Sequence, residues 1–371
     1  MTLEDIFICD NGHPSSRICF GDKLSGVGTV VAQMTPGPVF IIADGNVRKY
    51  AQEVALSLQS DIFHPCKGIM DVKVSEKGKT METVMEISSW LLDRGADRNA
   101  VLIAVGGGIT TDIVGFTASI YKRGVRFGYV PTTVLAQTDA AIGGKTGVNF
   151  RTYKNILGTI SQPVFVYICQ SPLSTLPQRD FISGAAELIK TFIIEDCGQY
   201  EKIIAYMTER KASWQSSPSN PGDLFLSLLA AAAKVKAGIV SRDQFEKGER
   251  RKLNFGHTFA HAIESVSSRE GYDITHGEAV SAGIIMAAVL SEACGYASVG
   301  LAERLRHDFV GAGLRVSVPF SLTELSEAMK KDKKAEGEIV HFVLIEDIGK
   351  VMIADMTVEN AVKAMEQRYL E

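Results

Sequence analysis

Residues Val101 to Tyr121, VLIAVGGGITTDIVGFTASIY, limit the possible folds most sharply. Five apolar residues run without alternation, as in a strand covered on both faces, and stop on three glycines. A helical pattern from about Thr110 to Tyr121 follows at once. Such a strand needs helices on both sides of its sheet, which points to a parallel α/β layer. Glycine at the turn lets backbone amides approach a ligand closely, and the helix N-terminus favours a phosphate. The pattern is GGGxxxD, ending at Asp112, and not GxGxxG; a tight strand–helix turn would also call for Gly106, Gly107 and Gly108.

The flanking sequence repeats the same grammar. Val39 to Ala43 is an apolar run that ends in Asp44-Gly45-Asn46 and leads into a helix from Val47 to Leu58. A short strand at Val72 to Val74 precedes Glu76, Lys79 and a helix from Met81 to Asp93. Arg126 to Val130 ends in Pro131-Thr132-Thr133, and Val164 to Ile168 reads as the last strand of this half. Polar residues thus collect where open α/β sheets bind ligands, at the C-terminal ends of strands. Between the last two strands, Asp139 to Asn149 reads as a loop that sets Lys145 among small residues, with Lys154-Asn155 after it. Lysine beside two glycines suits an anion.

After Leu176 the alternation stops and helical patterns take over, so a boundary is expected near Thr175–Arg179, giving domains 1–177 and 178–371. A chain of 371 residues, 46% hydrophobic and 22% charged, can bury a core in each. A formal charge of −4 offers no global field for nucleic acid or an anionic membrane, so an anionic substrate would be met by a local basic pocket. The six cysteines are scattered without a CxxC, against both a disulfide scaffold and a cysteine zinc site. With Glu4, Asp5 and Asp10 in place of a basic leader, a cytoplasmic protein is expected. Ala279 to Leu290 is too short and too rich in Ser and Gly to span a bilayer.

In the helical half, Arg250 to Val280 holds three of the seven histidines, His257, His261 and His276. His257 and His261 are four apart and share a helix face; His276 returns after a loop to head an apolar helix. Neutral imidazole is a common ligand of zinc-type metals. Spacing leaves both His257/His261 and His257/His276 open as ligand pairs. Glu187 and Lys190, three apart on an earlier helix, offer a carboxylate to complete such a site. The surrounding cations, Arg123, Lys145, Lys190, Lys236, Arg250 and Lys333, suit a substrate with a carboxylate and a phosphate better than a simple redox substrate.

The blocks GGGITTDIVGF, RGVRFGYVPTTVLAQTDAAIGGKTGVN, KNILG, AAELIK, RKLNFGHTFAHAIE and HGEAV resemble the 3-dehydroquinate synthase family from about Asp44 to Lys334. The resemblance implies an N-terminal Rossmann-like α/β domain followed by a mainly α-helical C-terminal domain, an active site in the cleft between them, and a homodimer. It implies NAD and Zn2+, with Co2+ an alternative, and conversion of 3-deoxy-D-arabino-heptulosonate 7-phosphate to 3-dehydroquinate and phosphate. It implies Glu187, His257 and His276 as metal ligands. Lys190, Lys236, Arg250, Asn254 and His261 would then serve the substrate, Asp139, Lys145 and Asn155 the loop that closes on it, and Lys333 its phosphate; Arg123 and Glu246 are candidates for the same site. Asp44, Asn46, Glu76, Lys79, Gly107, Gly108, Asp112, Thr132, Thr133 and Lys154 would hold NAD. The departures are Ala260 within HTFAHAIE, DQFE in place of DERE with Asp243 and Glu246 kept, and an insertion at Trp214 to Gly222. The segment before Pro38 carries no block of the family. The rival expectations are a metal-dependent alcohol or glycerol dehydrogenase, a cyclase of a different sugar phosphate, and a non-catalytic sensor of NAD or metal.

Overall fold

The computed structural model describes residues 3–151, 153–213, 221–333 and 339–370, excepting the side chains of 212, 213, 332, 333 and 368–370. The expected insertion at Trp214 to Gly222 therefore lies largely outside the described residues. The chain forms two compact units, Met1–Pro177 with Pro218–Gln244, and Gln178–Ser217 with Phe245–Glu371.

In chain order the first unit contains β1 (Ile6–Asp10), β2 (His13–Gly21), α1 (Gly26–Val31), β3 (Val39–Asp44), α2 (Arg48–Ser57) and β4 (Cys66–Val72). It continues through α3 (Met81–Asp93), β5 (Val101–Gly106), α4 (Gly108–Ile120), β6 (Arg126–Pro131), β7 (Lys145–Phe150), β8 (Tyr153–Ile160) and β9 (Phe165–Cys169). Seven strands make one sheet in the order β1-β2-β9-β6-β5-β3-β4. Every neighbouring pair is parallel except β1 with β2. The unbroken apolar runs of β3, β5 and β9 follow from burial on both faces. Ile41, Ile103, Val105 and Val130 pack with Val27, Val31 and Val54 of α1 and α2. On the other side Phe40 meets Trp90 of α3 edge-to-face, with ring centroids 5.9 Å apart. Each fully buried Val, Leu or Ile contributes roughly 1.5–3 kcal/mol relative to exposure.

Three local expectations change. The strand expected at Val72 to Val74 is β4, which runs earlier, from Cys66 to Val72. It is the sheet's edge strand and half exposed, so Lys67, Gly68 and Asp71 break its apolar pattern. The loop expected from Asp139 to Asn149 contains the end of a π-helical turn, Ala136–Ala140, and then β7, which pairs with β8 as a separate hairpin. Before Pro38, where only short strands and turns are expected, α1 also forms.

The second unit begins with α5 (Gln178–Glu195) and α6 (Cys197–Ser213). The chain then returns to the first unit as α7 (Asp223–Arg242), which the expected division placed with the helical half. Its contacts explain the placement: α7 packs on β1 and on the turn Ala136–Ala140, and Ser241 Oγ accepts from the Cys9 amide at 3.0 Å. By length and composition α7 is apolar enough to cross a membrane, but Phe225, Leu229 and Ile239 are buried within the protein and Lys236 pairs with Asp139. The second unit resumes with α8 (His257–Glu270), α9 (His276–Ala293), α10 (Leu301–Gly311) and α11 (Leu322–Lys333). A hairpin of β10 (Ile339–Asp347) and β11 (Lys350–Thr357) and helix α12 (Val358–Leu370) complete it.

Candidate active site

The candidate residues fall into two groups, one in each unit. In the first unit, β3 is followed by β4 on one side while β5 is followed by β6 on the other. This reversal of direction opens a crevice at the C-terminal ends of β3 and β5, where α/β sheets bind ligands. Asp44 ends β3, and its Oδ1 accepts from the Asn46 amide at 2.9 Å. Gly107 caps α4 and Gly108 opens it, so the first amides of α4 face the crevice end of the sheet. Beyond β6, the amide of buried Thr132 donates to Gly106 O at 2.9 Å, and Thr133 Oγ1 accepts from the Ala136 amide at 3.1 Å.

Lys79 is the hub of this group. It is almost fully buried, and its Nζ donates to Asp112 Oδ2 at 2.5 Å and to Asn155 Oδ1. Burial pushes the Asp112 carboxyl up to about 6 against the pull of the Lys79 ammonium. Asn149 braces the cluster: its Nδ2 donates to Glu76 Oε1 at 2.8 Å, its amide to Lys79 O at 2.8 Å, and its Oδ1 accepts from the Asn155 amide at 2.9 Å. Sequence reasoning missed Asn149 as a site residue, although it ends the GGKTGVN block. Asp139 accepts from Lys236 Nζ twice at 2.6 Å, through Oδ1 and its backbone carbonyl. Lys145 opens β7 and Lys154 lies on β8, both exposed. Arg123 stands apart: it follows the far end of α4, about 20 Å along that helix from Gly108.

In the second unit three helices converge on one carboxylate. Glu187 lies on α5 and is fully buried, with Lys190 Nζ 2.6 Å from its Oε2. His257 is the first residue of α8 and His276 the first of α9. Their Nε2 atoms are 3.6 Å and 3.3 Å from Glu187 Oε1. Close helix approach makes this possible. A Cβ on Gly277 would sit 1.9 Å from Ser183 O of α5, and one on Gly256, at φ +77°, would strike Ile284 of α9 at 2.8 Å. The start of α9 is held by a reciprocal cap between Thr275 and Glu278.

One donor atom from each of Glu187, His257 and His276 can lie within 4.8 Å of the others, a donor set suited to zinc-type metals. Lys190 pairs with Glu187 Oε2, while Oε1 faces both imidazoles at longer range, as fits a buried carboxylate shaped for a cation shared with them. Burial would push the Glu187 carboxyl up, but the Lys190 charge, with His257 and His276, holds it well below the usual range. Burial, helped by the Lys190 charge, lowers the His257 imidazole to about 3, leaving a neutral ring. For His276 burial acts downward, but Glu187 and Glu264 outweigh it and raise the ring to about 10.

His261 is exposed one turn along α8, its ring centroid 5.6 Å from that of His257. Arg250 is buried in a short 3₁₀ helix, Glu249–Asn254, and Asn254 Nδ2 donates to Glu246 Oε1 at 2.6 Å. Lys333 ends α11, and its side chain lies outside the described residues.

Family profiles described as 3-dehydroquinate synthase N-terminal and C-terminal match residues 69–183 and 184–335. The chain belongs to the 3-dehydroquinate synthase family. A 3-dehydroquinate synthase from Pyrococcus furiosus is 39% identical over 352 residues, covering 94% of this chain and 98% of that one. The structure of a 2-epi-5-epi-valiolone synthase from Streptomyces hygroscopicus subsp. jinggangensis, with NAD+ and Zn2+ bound, superposes with a TM-score of 0.81 at 26% identity, over 100% of this chain and 99% of that one. A 2-deoxy-scyllo-inosose synthase complexed with carbaglucose-6-phosphate, NAD+ and Co2+ shares the fold, with a TM-score of 0.83 at 23% identity over 98% and 99% of the two chains.

Proposed function

We propose that this chain is an NAD- and divalent-metal-dependent carbon–oxygen lyase that converts 3-deoxy-D-arabino-heptulosonate 7-phosphate to 3-dehydroquinate and phosphate. Membership of the 3-dehydroquinate synthase family supports the reading. The observation that carries it is the buried Glu187 carboxylate facing two imidazoles with Lys190 beside it. Bound NAD would supply reversible hydride transfer, and a Zn2+ or Co2+ ion held by Glu187, His257 and His276 would supply Lewis-acid polarisation of substrate hydroxyls, chemistry that lets phosphate elimination and aldol closure proceed without net redox change.

Glu187, His257 and His276 hold the metal in this reading. Asp44, Asn46, Glu76, Lys79, Gly107, Gly108, Asp112, Thr132, Thr133 and Lys154 hold the dinucleotide. The Lys79–Asp112–Asn155 cluster keeps the dinucleotide crevice and the substrate loop in register. Lys236 fixes the Asp139 backbone and carboxylate, and so sets where the loop to Lys145 begins. Lys145, Lys190, Arg250 and Lys333 bind the carboxylate and phosphate, with Asn254 tethered by Glu246. His261 moves protons at its ring nitrogens. The enzyme works as a homodimer in the cytoplasm.

The test is phosphate release from 3-deoxy-D-arabino-heptulosonate 7-phosphate by metal-reconstituted protein with NAD at a catalytic amount, following NADH absorbance in parallel. Many turnovers of phosphate without NADH accumulation are expected. Steady NADH from simple polyols without phosphate release would replace this reading with a dehydrogenase. Turnover confined to a heptulose phosphate lacking the carboxylate would replace it with another cyclase.

A further inference from the structure

We propose that Glu264 is a positioning residue for the metal, holding the His276 ring so that its Nε2 faces Glu187. The inference rests on the reading of Glu187, His257 and His276 as metal ligands. His276 Nδ1 lies 3.3 Å from Glu264 Oε1, while its Nε2 lies 3.3 Å from Glu187 Oε1 on the opposite side of the ring. The ring thus meets a carboxylate at each nitrogen; in the metal-bound form the Nδ1 proton would be donated to Glu264, leaving the Nε2 lone pair for a cation shared with Glu187. His257 is arranged in the same way with a different acceptor, its Nδ1 lying 3.2 Å from the carbonyl of Phe255. The two imidazoles are therefore not equivalent ligands. One is braced by a neutral backbone carbonyl and the other by a carboxylate, which makes the His276 ring the stronger electron donor.

The placement of Glu264 follows from helix geometry. It lies seven residues after His257 on α8, two turns along the same face, with its side chain largely buried. Helix α8 therefore supplies one ligand directly and orients the other, which belongs to α9. A slip of either helix would disturb both rings at once. Neither spacing nor the histidine count draws attention to Glu264, because it is a brace to a residue twelve positions away on another helix.

The test compares wild type with Glu264→Gln and Glu264→Ala by competition for Zn2+ against a chromophoric chelator and by the visible spectrum of the Co2+-loaded proteins. Wild type should bind one metal per chain. Glu264→Gln keeps an acceptor without its charge and should bind about 10-fold more weakly; Glu264→Ala loses the acceptor and should bind about 100-fold more weakly. The Co2+ bands of both should shift, while NAD affinity stays at the wild-type value. Wild-type metal affinity and an unshifted Co2+ spectrum in Glu264→Gln would overturn the inference, even if the alanine variant fails to fold. Absence of metal binding by wild type would instead overturn the ligand reading, and this inference with it.

Discussion

At the scale of single residues, His257 and His276 each supply one of three donor atoms gathered within 4.8 Å. Replacing either by alanine leaves two, and the protein should lose its zinc on gel filtration, as measured by atomic emission; undiminished metal content would show that the ligands lie elsewhere. Arg250 is buried, and a lost charge-assisted contact of this kind costs roughly 2–4 kcal/mol of transition-state stabilisation. Arg250→Ala should therefore lower kcat/KM by about 30- to 1,000-fold with metal content unchanged. Spacing shows that His257, His261 and His276 belong together, but leaves two ligand pairs open. Three-dimensional approach groups His257 and His276 with Glu187 and leaves His261 exposed beside them. Asn149 and Glu264 escape sequence reasoning for one reason: each acts by bracing residues remote in sequence, and a brace carries no spacing of its own.

At the scale of elements, the decisive feature is how closely α9 meets α5. A methyl group on Gly277 would overlap the Ser183 carbonyl, which is backbone and cannot rotate away. Gly277→Ala should destabilise the protein by about 1–3 kcal/mol in urea titration and weaken metal binding together; full stability would mean that α9 can shift without cost. The same scale decides which elements a reader of the sequence can see. β3, β5 and β9 are buried on both faces, so their apolar runs are continuous and legible. β4 is an edge strand whose polar residues face water. The hairpin of β7 and β8 pairs Gly147 with Gly158, a register position with no side chain to reveal it. Helix α7 is plain as a helix, but its membership of the first unit depends on contacts with β1 and the turn at Ala136–Ala140.

At the scale of the whole molecule, metal binding should appear as stability. A ligand that binds only the folded state at 1,000 times its Kd adds about 4 kcal/mol. Stripping the metal with a chelator should therefore lower the melting temperature by several degrees, and added zinc should restore it. His276→Ala protein should melt at the same temperature with or without chelator; a chelator response that persists would place the stabilising metal at some other site.

The path of the chain carries a further consequence, for synthesis on the ribosome. The first unit is not contiguous, because residues 218–244 complete it after α5 and α6 of the second unit have been made. The first 177 residues thus emerge with the surface destined for α7 uncovered, and α5 and α6 emerge before α8 and α9 exist to pack on them. Neither unit can finish folding in the order in which it is translated, so each must wait, partly formed, for sequence belonging to the other to be made. A gene cut at the boundary near Pro177 would make that wait permanent, whereas a fragment ending after Gln244 would contain every segment of the first unit.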